Sequence, residues 1–142
     1  MKTVLNVLAL ISLLSFASYA QTTTDLTPDK MNTEFFKLYG TKGLESSLQY
    51  IFETNKFISA GDVDNVKTKL AEQTQQMGKY HGYELIARKS IGRYVLYSFL
   101  IRYERQAIRF VLTYYKPDTK WKFNGFEYDD QLSTELKEAA TA

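Results

Sequence analysis

Between Val95 and Tyr114 the chain writes one alternation twice. Val95, Tyr97, Phe99, Ile101 and Tyr103 occupy every second position, and Ile108, Phe110, Leu112 and Tyr114 do the same after a short break. A period of two places each set on one face of an extended strand. If Tyr103 lies opposite Gln106, then Ile101 faces Ile108, Phe99 faces Phe110, Tyr97 faces Leu112 and Val95 faces Tyr114. Cross-strand pairs of this kind stabilise a sheet by about 0.2–1 kcal/mol each relative to alanine pairs. A slip of one residue would turn the whole set to the opposite face, so the register is strongly specified. Neither Glu104 nor Arg105 favours a positive φ, which predicts a four-residue loop from Tyr103 to Gln106 rather than a tight turn.

The same reasoning extends to the neighbours. Lys116-Pro117-Asp118-Thr119 reads as a turn, with proline suited to its second position. With Tyr115 opposite Lys120, Trp121 meets Tyr114 and Phe123 meets Leu112. The alternation then breaks at Asn124-Gly125, and Phe126 and Tyr128 resume it one step out of phase. An extra residue beside a glycine is the signature of a β-bulge, which keeps all four aromatics inward and bends the strand. Beyond residue 20 there are 19 aromatic residues, and 11 of them lie between Tyr94 and Tyr128. Such enrichment favours strands. Four are expected, at 83–90, 93–103, 106–115 and 120–128.

The preceding stretch has the helical period. Thr27-Pro28 places a hydroxyl at an N-cap and proline in the first turn. Met31, Phe35, Leu38 and Tyr39 follow on one face. Gly40 and Gly43 interrupt, and Leu44, Leu48, Ile51 and Phe52 form a second stripe. After Gly61, Asp62 is the expected cap of a third helix carrying Val63, Val66, Leu70 and Met77. Residues 131–142 read as a short acidic helix fraying into a tail at 137–142. The expected fold is therefore α+β, in the order αααββββ, with N-terminal helices packed on a curved four-stranded antiparallel sheet. One domain is expected, over 27–136.

Residues 1–20 read as a signal peptide. Lys2 is the sole charge before Asp25, and the apolar run from Val4 to Leu14 is shorter than the roughly 20 residues that span a bilayer. Small residues end the run, which predicts cleavage between Ala20 and Gln21, a flexible lead-in at 21–26 and no stable membrane anchor afterwards. Export to the periplasm or beyond is the expected localisation. The chain has no cysteine, which excludes disulfides, thiolate metal sites and cysteine nucleophiles. One histidine excludes a multi-histidine metal site.

The segment Gly78-Lys79-Tyr80-His81-Gly82-Tyr83-Glu84-Leu85-Ile86 resembles the start of the first long strand in small secreted members of the nuclear transport factor 2-like, or cystatin-like, α+β roll. Arg109 to Phe123, continued through Phe126-Glu127-Tyr128-Asp129-Asp130, is similar to their last hairpin. The resemblance covers about residues 27–136. It implies a roll with a cone-shaped pocket between sheet and helices, and no catalytic pattern carries over.

Several residues have two readings. Tyr39, Tyr97, Tyr103 and Tyr114 suit a ligand-pocket wall or a core rim, since each joins an apolar body to a polar tip. His81 is a general base or an ordinary loop histidine; Glu84 is near it in sequence. Asp129-Asp130 with Glu127 and Glu135 lack the alternating spacing of a calcium loop, and a strand end or helix cap accounts for them. Nine basic residues against two acidic ones between Arg88 and Lys122 suit an anionic ligand, an acidic partner or lysine-guarded edges. The second sheet face carries Tyr94, Leu96, Leu100, Arg109, Val111 and Tyr115, too apolar for free solvation, which suggests a homodimer or partner surface. No metal, cofactor or nucleic acid is expected. The expected function is an exported binding or accessory protein that holds a small ligand or an exported protein in an apolar cleft or on the sheet. The alternatives are an enzyme with an acid/base tyrosine or carboxylate in that cleft, and a structural dimerisation module.

Overall fold

The computed structural model describes residues 25–142; the segment 1–20 expected as a signal peptide, the expected cleavage point at Ala20 and Gln21, and most of the expected lead-in lie outside the described residues. Three helices precede the sheet: α1 (Pro28–Lys42), α2 (Leu44–Glu53) and α3 (Ala60–Gln75). Four strands follow: β1 (Tyr80–Ile91), β2 (Tyr94–Tyr103), β3 (Ala107–Tyr115) and β4 (Lys122–Asp129). A last helix, α4 (Leu132–Thr141), closes the chain. The strands form one antiparallel sheet in the order β1-β2-β3-β4, as the helix-then-sheet reading requires.

The central register is the one the alternation dictates. Ile101 faces Ile108, Phe99 faces Phe110, Tyr97 faces Leu112 and Val95 faces Tyr114. All eight side chains are buried, in a core shared with Met31, Phe35, Leu48 and Ile51 of the first two helices. The loop at Glu104-Arg105 closes through Tyr103 N–H to Gln106 O at 3.1 Å. It is also held from outside: Glu104 N–H reaches Lys79 O at 2.8 Å, and Arg105 N–H reaches Met77 O at 3.0 Å. This apposition requires Gly78. Its φ is +84°, and a Cβ there would sit 2.9 Å from Glu104 Cβ.

The β4 register differs from the expectation by two residues. Tyr115 lies opposite Lys122, and Tyr114 opposite Phe123. The connection therefore runs from Lys116 to Trp121. Lys116 N–H is bonded to Arg93 O at 2.9 Å, which carries the β2–β3 ladder one pair further before the chain turns back. A two-residue shift preserves the face. Phe123 is buried, while Trp121, Phe126 and Tyr128 pack partly buried against the core. The bulge falls at Asn124, between the pairs Thr113–Gly125 and Tyr114–Phe123. It corrects the phase without rolling the sheet, which is uncurled.

Two boundaries also move. The third helix is capped by Ser59, whose Oγ accepts Asp62 N–H at 3.2 Å, so Gly61 lies inside its first turn. β1 begins at Tyr80, three residues early, because Tyr80 packs its ring on Tyr39 at 4.0 Å between centroids. The stretch 137–142 expected as a tail is helical to Thr141.

Candidate functional site: the cleft under the C-terminal helix

The four tyrosines meet one another's neighbourhood in the core, and each polar tip is tied to α1. Tyr97 Oη donates to Asp29 Oδ1 at 2.8 Å and accepts from Arg88 Nε at 3.0 Å. Tyr114 Oη donates to Asn32 Oδ1 at 2.5 Å. The hydroxyls of Tyr103 and Tyr39 are hydrogen-bonded to each other. Asp29, Asn32 and Tyr39 lie along the sheet-facing side of α1, so these bonds fasten the helix to β2 and β3. Burial pushes the Tyr103 phenol up to about 12 and raises Tyr39, Tyr97 and Tyr114 above the ordinary tyrosine value. A raised phenol stays protonated at pH 7 and does not act there as a base.

The six residues expected as a partner surface divide. Val111 is buried. Arg109 is half-buried and forms ion pairs, Leu100 lines a cleft, Leu96 is half-buried, and Tyr94 and Tyr115 are exposed at one end of the sheet. The cause is α4. Asp129 ends β4 and bends the chain, its Oδ1 accepting Gln131 N–H at 2.8 Å. Arg109 then holds both sides of the bend. Its Nη2 meets Asp129 Oδ2 at 2.8 Å, and its Nη1 meets Glu135 Oε2 at 2.7 Å. Burial works to raise the Asp129 carboxyl, but the Arg109 bonds and the Gln131 amide outweigh it and leave the pKa lowered. Asp129 and Glu135 thus turn toward a guanidinium, and α4 is held over the second face of the sheet.

Between α4 and that face lies a cleft of about 350 Å³. Ile86, Ala87 and Leu100 form its sheet side; Leu132, Leu136 and Ala139 form its helix side, with Glu135 at the rim of the lining. Leu132, Leu136 and Ala139 share one helical stripe because they are four and three residues apart. Leu136 remains 72% exposed and Ile86 38%, so the cleft is an open apolar slot rather than a filled core. Its volume is at the lower end for small-molecule sites, roughly 300–1,000 Å³. Clefts of comparable size around α2 and α3 have mixed walls, in which Glu45, Gln49, Glu53, Asp64 and Lys67 stand beside Leu48 and Phe52. None of these four clefts is lined by Tyr39, Tyr97, Tyr103 or Tyr114.

His81 is on β1 and pairs with Glu104, while Glu84 lies 3.4 Å from Arg102 Nε. The histidine and its carboxylate are both substantially exposed, outside every cleft described above. Sequence reasoning missed α4 as the wall of a site. The stripe Leu132–Leu136–Ala139 was visible, but the Arg109–Glu135 pairing that holds it on the sheet joins residues 26 apart and has no local signal.

No family model matches the chain, and no curated protein matches it. Among solved structures, the chain is similar to a SEC-C motif containing protein from Rhodopseudomonas palustris, at 16% identity and a TM-score of 0.46, over 71% of this chain and 77% of that one. The nuclear transport factor 2-like, or cystatin-like, resemblance is corrected on the sheet itself, which is uncurled and does not roll into a cone. Between the helices and the sheet, Phe35, Phe110 and Phe123 are fully buried.

Proposed function

We propose that this chain is an exported binding or accessory protein that takes a small apolar ligand into the cleft between α4 and the second sheet face. One observation carries the reading: six apolar side chains from three elements, β1, β2 and α4, converge on an open slot, with Leu136 left 72% exposed. Leaving apolar surface in water is unfavourable by about 25 cal/mol per Å². A ligand that covers Leu136 and Ile86 recovers that free energy without unfolding anything. Export is supported by the sequence of residues 1–20.

The probe is N-phenylnaphthylamine, an apolar dye whose emission rises out of water. The chain is expected to bind it, and Ala139→Trp, which fills the slot from its helix wall, is expected to abolish the signal. Dye binding that survives Ala139→Trp in a folded protein places the apolar site elsewhere and sinks the proposal. Native mass spectrometry of protein from its own host would then identify the natural occupant by its mass.

A further inference from the structure

The end of the sheet that carries the β1–β2 turn has a second character. Ile91, Tyr94, Tyr115 and Lys122 form one row across all four strands. Ile91 is 85% exposed beside the turn Gly92-Arg93, and Tyr94 and Tyr115 are exposed too. Lys122 reaches out of this row to the loop between α2 and α3, with Nζ 4.9 Å from the ring of Phe57. Phe57 is itself 73% exposed. Lys56 lies over the same ring, and Lys116 lies over Trp121 at 5.8 Å. Arg93 Nη1 donates to Asp118 O at 3.2 Å, which binds the two loops of this end together.

The charges here are one-sided. Residues 55–58, 89–94 and 115–122 hold Lys56, Lys89, Arg93, Lys116, Lys120 and Lys122 against the single carboxylate of Asp118. The whole chain has a net charge of only +2. Five of the six cations are lysines, a residue depleted at protein–protein interfaces. Lysine does suit a lipid surface, where its stem lies along apolar groups and its ammonium stays at the headgroups. Tyrosine and tryptophan favour the same boundary.

We propose that this end of the molecule docks on an anionic lipid bilayer, with Ile91 and Phe57 entering the boundary between headgroups and acyl chains and the lysines meeting lipid phosphates. This is attachment to a surface: among the described residues no helix is long and apolar enough to cross a membrane. The site is separate from the cleft under α4, and either can exist without the other.

Trp121 is the sole tryptophan of the chain, so it reports on this end alone. The experiment titrates the full chain with vesicles of phosphatidylcholine, with and without phosphatidylglycerol, and follows tryptophan emission and co-sedimentation. With phosphatidylglycerol, the emission is expected to move to shorter wavelength, and added salt is expected to reverse it. The Lys56→Gln/Lys120→Gln protein is expected to bind about 25-fold more weakly, roughly fivefold per cation removed. Ile91→Ser with Phe57→Ser is expected to lose the emission shift while far-ultraviolet circular dichroism stays unchanged. Co-sedimentation with an unmoved emission means attachment through residues 1–20 and overturns the proposal. So does an equal shift caused by soluble polyglutamate and untouched by Ile91→Ser/Phe57→Ser, which marks an acidic macromolecule as the partner. Absence of binding to either vesicle overturns it as well.

Discussion

The hydroxyl of Tyr114 donates to Oδ1 of Asn32 across 2.5 Å, with both residues buried, and so joins the third strand to the first helix. Asn32 Nδ2 has no partner of its own among the described residues. The asparagine is therefore kept in the core by a single side-chain bond. Tyr114→Phe removes that bond and leaves Oδ1 buried without a donor, at a cost of about 1–3 kcal/mol. Asn32→Leu together with Tyr114→Phe removes both polar partners and the orphaned amide, and the double variant is expected to be more stable than Tyr114→Phe alone. Urea unfolding of the four proteins of this cycle measures it. A double variant no more stable than the sum of its parts would show the pair to be uncoupled.

How legible this core was depended on which residues share a local period. The partners Phe99–Phe110 and Ile101–Ile108 follow from alternation together with the short connection at Glu104-Arg105: a one-residue slip turns one set outward, and the connection selects among the registers that remain. The bulge at Asn124 was readable too, from a phase break beside Gly125. The β4 start was not, because the connection runs from Lys116 to Trp121, two residues longer than the turn read at Lys116–Thr119. Alternation fixes which face a strand buries and is blind to a shift of two. The surroundings of the candidate site residues were hidden for a similar reason. The tyrosines drew attention as polar tips on an apolar face, yet Asp29, Asn32 and Tyr39 on α1 supply their partners and absorb them into the core. The apolar slot depends on Arg109 finding Glu135, a contact made only once both sheet and helix exist.

Gly78 and Gly92 both have positive φ, at +84° and +55°. They are expected to respond differently to alanine. At Gly92 a Cβ meets nothing within 4 Å, so Gly92→Ala carries only the left-handed backbone cost, about 1–2 kcal/mol. At Gly78 the added Cβ meets Glu104 Cβ at 2.9 Å, and the contact is close to the backbone. Gly78→Ala must also push back a loop held by the amides of Glu104 and Arg105. It is expected to exceed Gly92→Ala by at least about 1 kcal/mol, a magnitude typical of forced overpacking. Thermal or urea unfolding of the two variants ranks them, and equal losses would show the apposition to be loose.

The buried phenols set the alkaline limit. Burial holds both Tyr103 and Tyr80 up to about 12, with the neighbouring Tyr80 adding to the rise at Tyr103, and Tyr39 and Tyr83 at Tyr80. In an unfolded chain these groups ionise near 10. A folded pKa above the unfolded one means stability fully present below about pH 10 and lost as pH rises toward 12. Ultraviolet titration is expected to show the exposed tyrosines ionising first, and the buried set only together with loss of near-ultraviolet circular dichroism. Tyr103→Phe removes one of these ionisable groups and is expected to move the alkaline transition upward relative to its own stability at pH 8.

The acid limit belongs to Arg109. The Asp129 carboxyl is held below the ordinary carboxylate value, because the guanidinium and the Gln131 amide outweigh the effect of burial. An unfolded aspartate has a pKa of about 3.9, so the native protein binds fewer protons than the unfolded one just below that pH. Stability from this contact is therefore present above about pH 4 and disappears as pH falls through the lowered native value. The side chains of Arg109, Asp129 and Glu135 are 23%, 31% and 29% exposed, so solvent screening limits the whole contact to about 1 kcal/mol. That is enough to matter for α4, which is attached to the sheet by little else than this cluster and the Leu132 stripe. Hydrogen exchange of α4 amides is expected to accelerate as pH falls below 4, after correction for intrinsic rates, while β2 and β3 amides stay protected. Arg109→Leu is expected to open α4 already at pH 7 and to remove the acid dependence. If α4 exchanges at the same rate in Arg109→Leu as in the parent, the helix is held on the sheet by its leucines alone, and the ion pairs are incidental to the slot beneath it.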